Sequence, residues 1–180
     1  MPITSLLLFC GSRSGHDPAH AQLARDLGTM LAARGVTLVY GGGGIGLMGE
    51  AARAAMAGGG RVIGVIPQSL MREEVAQQGL AEMHVVDTLH TRKALMHQLS
   101  DAIIALPGSI GTLDELFETI TWRELGVHDK PIFLLDSTGY WQPFLALLAH
   151  LDTQGFAPPD LAGLIEPLDS LETLGQRLAG

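Results

Sequence analysis

The chain has 180 residues, 47% of them hydrophobic and 17% charged, with a formal net charge of −8. That composition calls for one packed domain over residues 1–180 rather than a disordered chain, and the acidic balance excludes a DNA or RNA polymer as partner of the surface as a whole. A single cysteine, Cys10, excludes a disulfide within the chain and places it in the reducing cytoplasm, while no apolar stretch reaches the length of a membrane span and the first residues lack the basic flank of a secretory leader.

Ile3–Phe9 reads as the first strand, followed by the loop Gly11-Ser12-Arg13-Ser14-Gly15. Pro18 opens a helix that runs to Ala33, a position that tolerates proline because the first helical N–H has no partner to lose. Gly35 ends that helix, Val36–Tyr40 is the second strand, Gly41–Gly46 a glycine loop, and Leu47–Ala57 the helix that leaves it. Arg61–Ile66 is a third strand stopped by Pro67, and 68–82 is a loop with a partial helix. Met83–Val86 is a weak fourth strand, Thr88–Leu99 a helix, and Asp101–Leu106 a fifth strand ending at Pro107-Gly108. A helix over Ile110–Leu125, a strand over Pro131–Leu135 and a helix over Tyr140–Leu151 follow. A Pro158-Pro159 turn, a short strand at Leu164-Ile165 and a final helix from Ser170 complete the reading.

Short apolar strands alternating with helices specify an α/β fold: a Rossmann-like, doubly wound, mostly parallel sheet with helices on both faces. Ligands of such sheets lie outside the C-terminal strand ends. Three glycine-bearing loops, 11–15, 41–46 and 107–111, fall there.

The block Tyr40 to Gly49 satisfies G-x-G-x-x-G from Gly41 and again from Gly44, which shows how little that pattern specifies. The next strand ends at Ile66-Pro67 with no acid to hold a ribose, and the lysine of a P-loop is absent, so NAD is disfavoured. Contact of Gly42 and Gly43 with a phosphate or sugar is expected in preference to a turn that only lets helix and strand pack closely. The second block, Leu106 to Glu115, places bare backbone N–H groups between a strand and a helix N-terminus, an anion cradle. Thr112-x-x-Glu115 also spells a capping box, and on the residues alone the two readings stand level.

Arg92 and Lys93 put two cations near a helix N-terminus, which disfavours cations unless an anion lies between. Both should face the rim that carries Thr112 and Glu115, arginine as a bidentate phosphate binder and lysine as a point charge. Arg72-Glu73-Glu74 falls near the same rim, although acidic pairs in loops are ordinarily solvated. The seven histidines form no metal set: His16 and His20 lack the acid of H-E-x-x-H, and His90 and His97 share a helical face suited to packing. No G-x-S-x-G occurs, and Lys93 and Lys130, the only lysines, have no Schiff-base setting, so chemistry without metal or cofactor is expected.

Together these segments resemble the LONELY GUY family of cytokinin riboside 5′-monophosphate phosphoribohydrolases, long labelled lysine decarboxylases. The family's P-G-G-x-G-T-x-x-E corresponds to Pro107 through Glu115, with Ser109 in place of the second glycine. Phe9-Cys10-Gly11-Ser12, Tyr40 to Gly49, Pro67 to Glu74 and Arg92-Lys93 correspond in order and spacing over about the first three-quarters of the chain. The resemblance implies a hydrolase that cleaves the base–sugar bond of a cytokinin riboside 5′-monophosphate or AMP, with Arg92 and Glu115 as the catalytic pair. It implies further that Glu74, Lys93, Gly108, Ser109, Ile110, Gly111, Thr112, Leu113, Asp114 and Thr121 contact the nucleotide. A homodimer with sites near its interface is implied as well, with Trp122 and Leu125 taken as interface residues. Ser109 costs energy if its position requires φ > 0, whereas its hydroxyl can donate to a phosphate oxygen. The competing reading is a non-catalytic nucleotide or cofactor carrier of the molybdenum-cofactor-carrier type, which has no need of Arg92 paired with Glu115.

Overall fold

The five inner strands are unbroken apolar runs, as strands covered on both faces must be. The computed structural model, which describes residues 3–158 and 161–179, contains β1 (Ser5–Phe9), α1 (Pro18–Ala33), β2 (Thr37–Tyr40), α2 (Gly46–Ala57), β3 (Val62–Pro67) and β4 (Glu82–Val86). The chain continues through α3 (Leu89–Gln98), β5 (Ala102–Ala105), α4 (Ile110–Glu124), β6 (Ile132–Leu135), α5 (Gln142–Thr153), β7 (Glu166–Leu168) and α6 (Leu171–Ala179). The strands lie in the order β4-β3-β2-β1-β5-β6-β7, and every neighbouring pair is parallel.

The period of two along each strand decides which helices it meets. Leu6 and Leu8 of β1 pack with Leu38, Tyr40 and Ile104 beneath α1, α2 and α6, whose Leu27, Leu31, Ala51, Ala55 and Leu174 are buried there. Leu7 and Phe9 point the other way, with Val39, Ile103 and Ala105, against Met96 of α3, Leu116 and Ile120 of α4 and Phe144 of α5. No helix among the described residues is long and apolar enough to cross a membrane.

The departures from expectation are local. The strand expected at Leu164-Ile165 is displaced: Leu161–Leu164 forms a 3-10 turn and the strand runs from Glu166 to Leu168. Pairing with Phe133, Leu134 and Leu135 fixes that register, which intrinsic propensity does not contain. Tyr140, expected inside a helix, lies in the turn before α5, where Asp136 accepts the Trp141 N–H at 2.8 Å and stops the helix from starting earlier. Pro159 of the expected Pro158-Pro159 turn lies outside the described residues.

The sheet's topology sets the site. Its winding reverses between β1 and β5, neighbours in the sheet but far apart in the chain, and this opens a crevice above their C-terminal ends. The loops that leave those two strands are tied together there by Gly11 N–H donating to Pro107 O at 2.9 Å.

Candidate functional site

The loops after β1 and β5 border an open cleft of about 740 Å³, walled also by His20, Leu47 and Tyr140. Past Gly11, Ser12, Ser109 and Gly111 the cleft continues into a small pocket of about 100 Å³ lined by Cys10, Met48, Glu74, Arg92, Thr112 and Glu115. Arg92, Glu115, Glu74 and Thr112, drawn from three separate segments, therefore meet at one place.

Arg92 reaches that place because α3 starts just before it. Thr88 caps the helix by accepting the Thr91 N–H at 3.0 Å, which puts Arg92 in the first turn, only 5% exposed. Its Nε donates to Val65 O at 3.0 Å, and its Nη2 donates to Gly41 O at 2.6 Å and Glu74 Oε2 at 2.7 Å. Nη1 makes a longer bond of 3.4 Å to Glu74 Oε1. These bonds occupy four of the five guanidinium hydrogens and leave one on Nη1 for a ligand. The carboxylate that Arg92 grips is therefore that of Glu74, and Glu115 stands separately on the pocket wall.

This arrangement explains the glycine loop. A Cβ on Gly41 would stand 2.2 Å from Arg92 Nη2. At Gly46, φ is +57° and a Cβ would meet the Ser12 carbonyl carbon at 2.3 Å, so the loop after β1 rests on a bare backbone. Gly44 N–H donates to both Glu74 O and Val75 O, at 3.0 and 2.8 Å, and Gln77 N–H donates to Gly42 O at 2.9 Å. Val75 holds φ at 48°, a left-handed conformation costly for a β-branched residue, and it turns the chain that presents Glu74. Gly42 and Gly43 are buried and line neither cavity. A Cβ on Gly42 would meet Ile66 and Met83, and one on Gly43 would meet Met48 and Glu74, so the loop is closely surrounded at both positions.

Lys93, expected to contact phosphate, stands on another face of α3 from Arg92. Consecutive helical residues point roughly 100° apart, so with Arg92 facing the pocket Lys93 faces α4. There its Nζ pairs with Asp114 at 2.9 Å and Glu118 at 3.2 Å. Lys93 and Asp114 thus clamp α3 to α4 and neither lines a cavity. His97, further along α3, is buried against Trp122 and bonded to Thr119 Oγ1 at 2.8 Å. Burial first, then the electrostatic influence of the neighbouring His128 and Lys130, depress its pKa to about 4.

The start of α4 removes the capping-box reading of residues 107–115. Ser109 is the N-cap residue, its side chain caps nothing, and Thr112 and Glu115 lie inside the helix, so no capping box forms. The N–H groups of Ile110, Gly111 and Thr112 are left for a ligand. A Cβ on Gly108 would collide with Thr112 Oγ1 at 2.0 Å, whereas one on Gly111 would meet nothing within 4 Å. Ser109 has φ −103°, so serine carries no backbone strain there, and its exposed side chain lies on both cavity walls.

Leu113 packs into the core, and Ile110 is 75% exposed. Thr121 lies roughly 16 Å along the helix axis from Ile110, exposed, with its hydroxyl donating to Phe117 O at 2.8 Å. Glu115 sits just past the open N–H groups, partly buried. Its pKa is pushed up to about 7, first by burial; Arg92 and Lys93 pull it down while the Glu74 and Asp114 carboxylates push it up.

Ser12, Arg13, His16, His20 and Tyr140 also line the large cleft. The Gly11–Gly15 segment announces itself as a glycine loop after a strand. Tyr140 gives no such signal, yet its hydroxyl donates to Gly108 O.

Residues 48–178 match the family described as possible lysine decarboxylase. The chain is 47% identical over 156 residues to the cytokinin riboside 5′-monophosphate phosphoribohydrolase of Rhodococcoides fascians, covering 86% of this chain and 79% of that protein. It is 44% identical over 173 residues to an Arabidopsis thaliana enzyme of the same name, covering 96% and 81%. Among solved structures, the molybdenum cofactor carrier protein of Chlamydomonas reinhardtii superposes with a TM-score of 0.73 over 98% of both chains at 22% identity. The molybdenum cofactor binding protein of Rippkaea orientalis gives 0.72 over 99% and 96% at 20% identity. At such identities the likeness shows the fold alone.

Proposed function

Because this chain belongs to the possible-lysine-decarboxylase family that includes the cytokinin riboside 5′-monophosphate phosphoribohydrolases, we propose that it hydrolyses the N-glycosidic bond of a nucleoside 5′-monophosphate, giving free base and ribose 5-phosphate. The observation that carries this reading is the placement of Glu115, a carboxylate with its pKa near neutrality, beside an uncapped helix N-terminus and a buried arginine.

The 5′-phosphate is held by the N–H groups of Ile110, Gly111 and Thr112, where the α4 dipole adds positive character. The ribose lies in the small pocket. As the bond from C1′ to the base nitrogen breaks, positive charge builds on the sugar. Ionised Glu115 stabilises that charge and accepts a proton from the attacking water as its oxygen bonds to C1′. The bonding pair leaves with the base nitrogen, which takes up a proton. Arg92 fixes Glu74 and offers its remaining Nη1 hydrogen to the nucleotide, which is positional work.

A decarboxylase reading needs a lysine free for a cofactor. Lys93 is ion-paired away from the cleft and Lys130 donates to His97 O. The carrier reading rests on fold likeness only. Incubation with AMP and with its N6-isopentenyl derivative, followed by chromatography, is expected to yield free base and ribose 5-phosphate in equal amounts. Intact nucleotide in both incubations overturns the enzymatic reading.

The same proposal covers one domain over the whole chain, a cytoplasmic protein with its single thiol, Cys10, buried and unpaired, and a homodimer through α4. Ile110, Phe117 and Leu125 fall along one side of that helix, Ile110 and Leu125 at 75% and 70% exposure. Trp122, the other expected interface residue, is half-buried and meets the His97 ring of its own chain edge-on. Thr121 shares the exposed stripe, so a contact with nucleotide is best supplied across that interface. Light scattering is expected to give a dimer for the native chain and a monomer for Leu125→Asp; a monomeric native chain removes the dimer.

A further inference from the structure

Phosphate and ribose have places in the phosphoribohydrolase reading, and the base has none. A pocket of about 100 Å³ holds a sugar ring without room for a purine beside it. From a ribose seated there, the way out between Gly11-Ser12 and Ser109–Gly111 opens into the cleft of about 740 Å³.

One wall of that cleft carries a fixed aromatic face. Tyr140 is 42% exposed, yet three contacts hold it: its hydroxyl donates to Gly108 O, and its ring meets His20 at 5.9 Å and Trp141 at 5.2 Å, both edge-on. Such a ring offers a flat π surface at little cost in side-chain entropy. Beside it, His20 lines the same cleft, with its Nδ1 buried and away from the opening. Stacking on an aromatic ring recognises any planar base.

We propose that Tyr140 forms the base subsite: the purine of the nucleotide stacks on the exposed Tyr140 ring beside His20, and an N6 substituent runs along the open end of the large cleft. This rests on the phosphoribohydrolase reading for the position of the sugar. It makes Tyr140 a specificity residue that the motifs of the chain do not mark.

The test compares AMP with ribose 5-phosphate, which lacks the base. Tyr140→Ala is expected to raise the KM for AMP, and the calorimetric Kd for AMP read in the Glu115→Gln background, roughly tenfold or more, with inhibition by ribose 5-phosphate nearly unchanged. Tyr140→Phe keeps the ring and is expected to bind AMP almost as the native chain does. Tyr140→Leu, which retains bulk, serves if the alanine variant does not fold. Equal weakening of AMP and ribose 5-phosphate means that Tyr140 only props the Gly108 loop and overturns the proposal, as does an unchanged affinity for AMP. Should the native chain bind AMP without cleaving it, a selective loss of AMP affinity in Tyr140→Ala still sustains the subsite, while the hydrolase reading falls.

Discussion

Glu115→Gln is expected to lower turnover of AMP by about a thousandfold, the scale of a lost general base together with lost charge stabilisation, while leaving nucleotide affinity within a few-fold. The native enzyme's kcat/KM should fall about tenfold per pH unit below the Glu115 pKa of about 7, and the variant's residual rate should lose that limb. Stability moves the opposite way. Because the folded-state pKa lies above the carboxyl's ordinary 4.5, folded Glu115 retains a proton that the unfolded chain has released between those values. Its contribution is therefore intact below pH 4.5 and is lost as pH rises through 7. Removing the charge should stabilise the protein by about 2 kcal/mol at pH 8, discounted for the water that reaches the pocket, and by almost nothing at pH 4.5. Thermal melts of both proteins at the two pH values check this. A variant that melts no higher at pH 8 shows that Glu115 is not forced against its solvation, and native-level turnover removes it from the reaction.

Arg92→Ala is expected to be the most damaging single change in the site. It strands the Glu74 carboxylate and the Gly41 and Val65 carbonyls without their donors, an uncompensated burial worth about 3–5 kcal/mol. In a chain of this size that lowers Tm by roughly 10 °C. The charge lost is also one that holds the Glu115 pKa down, so the acid limb of the pH–rate profile should move to higher pH in whatever activity survives. A double variant, Arg92→Met with Glu74→Met, separates the two roles. It removes both charges at once and should recover the part of the lost Tm that the stranded Glu74 carboxylate causes, yet stay inactive. Recovery of turnover along with stability would reduce Arg92 to scaffolding; a single variant with native Tm would mean that the buried pair carries no structural weight.

The two residues also show how differently parts of the site can be seen beforehand. The helix start at Ile110 and the carboxylate at Glu115 are legible because strand, Pro-Gly turn and helix signals fall within a dozen positions. Thr112-x-x-Glu115 fits a cap as well as an anion cradle, and only the position of the N-cap at Ser109, with the helix already running through both residues, separates the two. The partner of Arg92 was not legible. Glu74 stands in a segment without periodicity, and it meets Arg92 only because β3 and the Gly41–Gly46 loop carry them to the same strand end. Lys93, adjacent in the chain to Arg92, is turned toward α4 by the helix rotation that no composition argument resolves.

By itself, then, the amino-acid order determined the alternation of strand and helix, the two-sided burial of the sheet, and the strand ends at which the glycine-bearing loops gather. These follow from local preferences and from the spacing of apolar residues, which act within a few positions of each other. The tertiary structure alone decided which carboxylate faces which cation, that Gly42 and Gly43 are buried, and that Tyr140 walls the cleft. Those outcomes depend on the order of strands in the sheet and on the rotation of each helix against it, quantities set by the burial of the entire core at once.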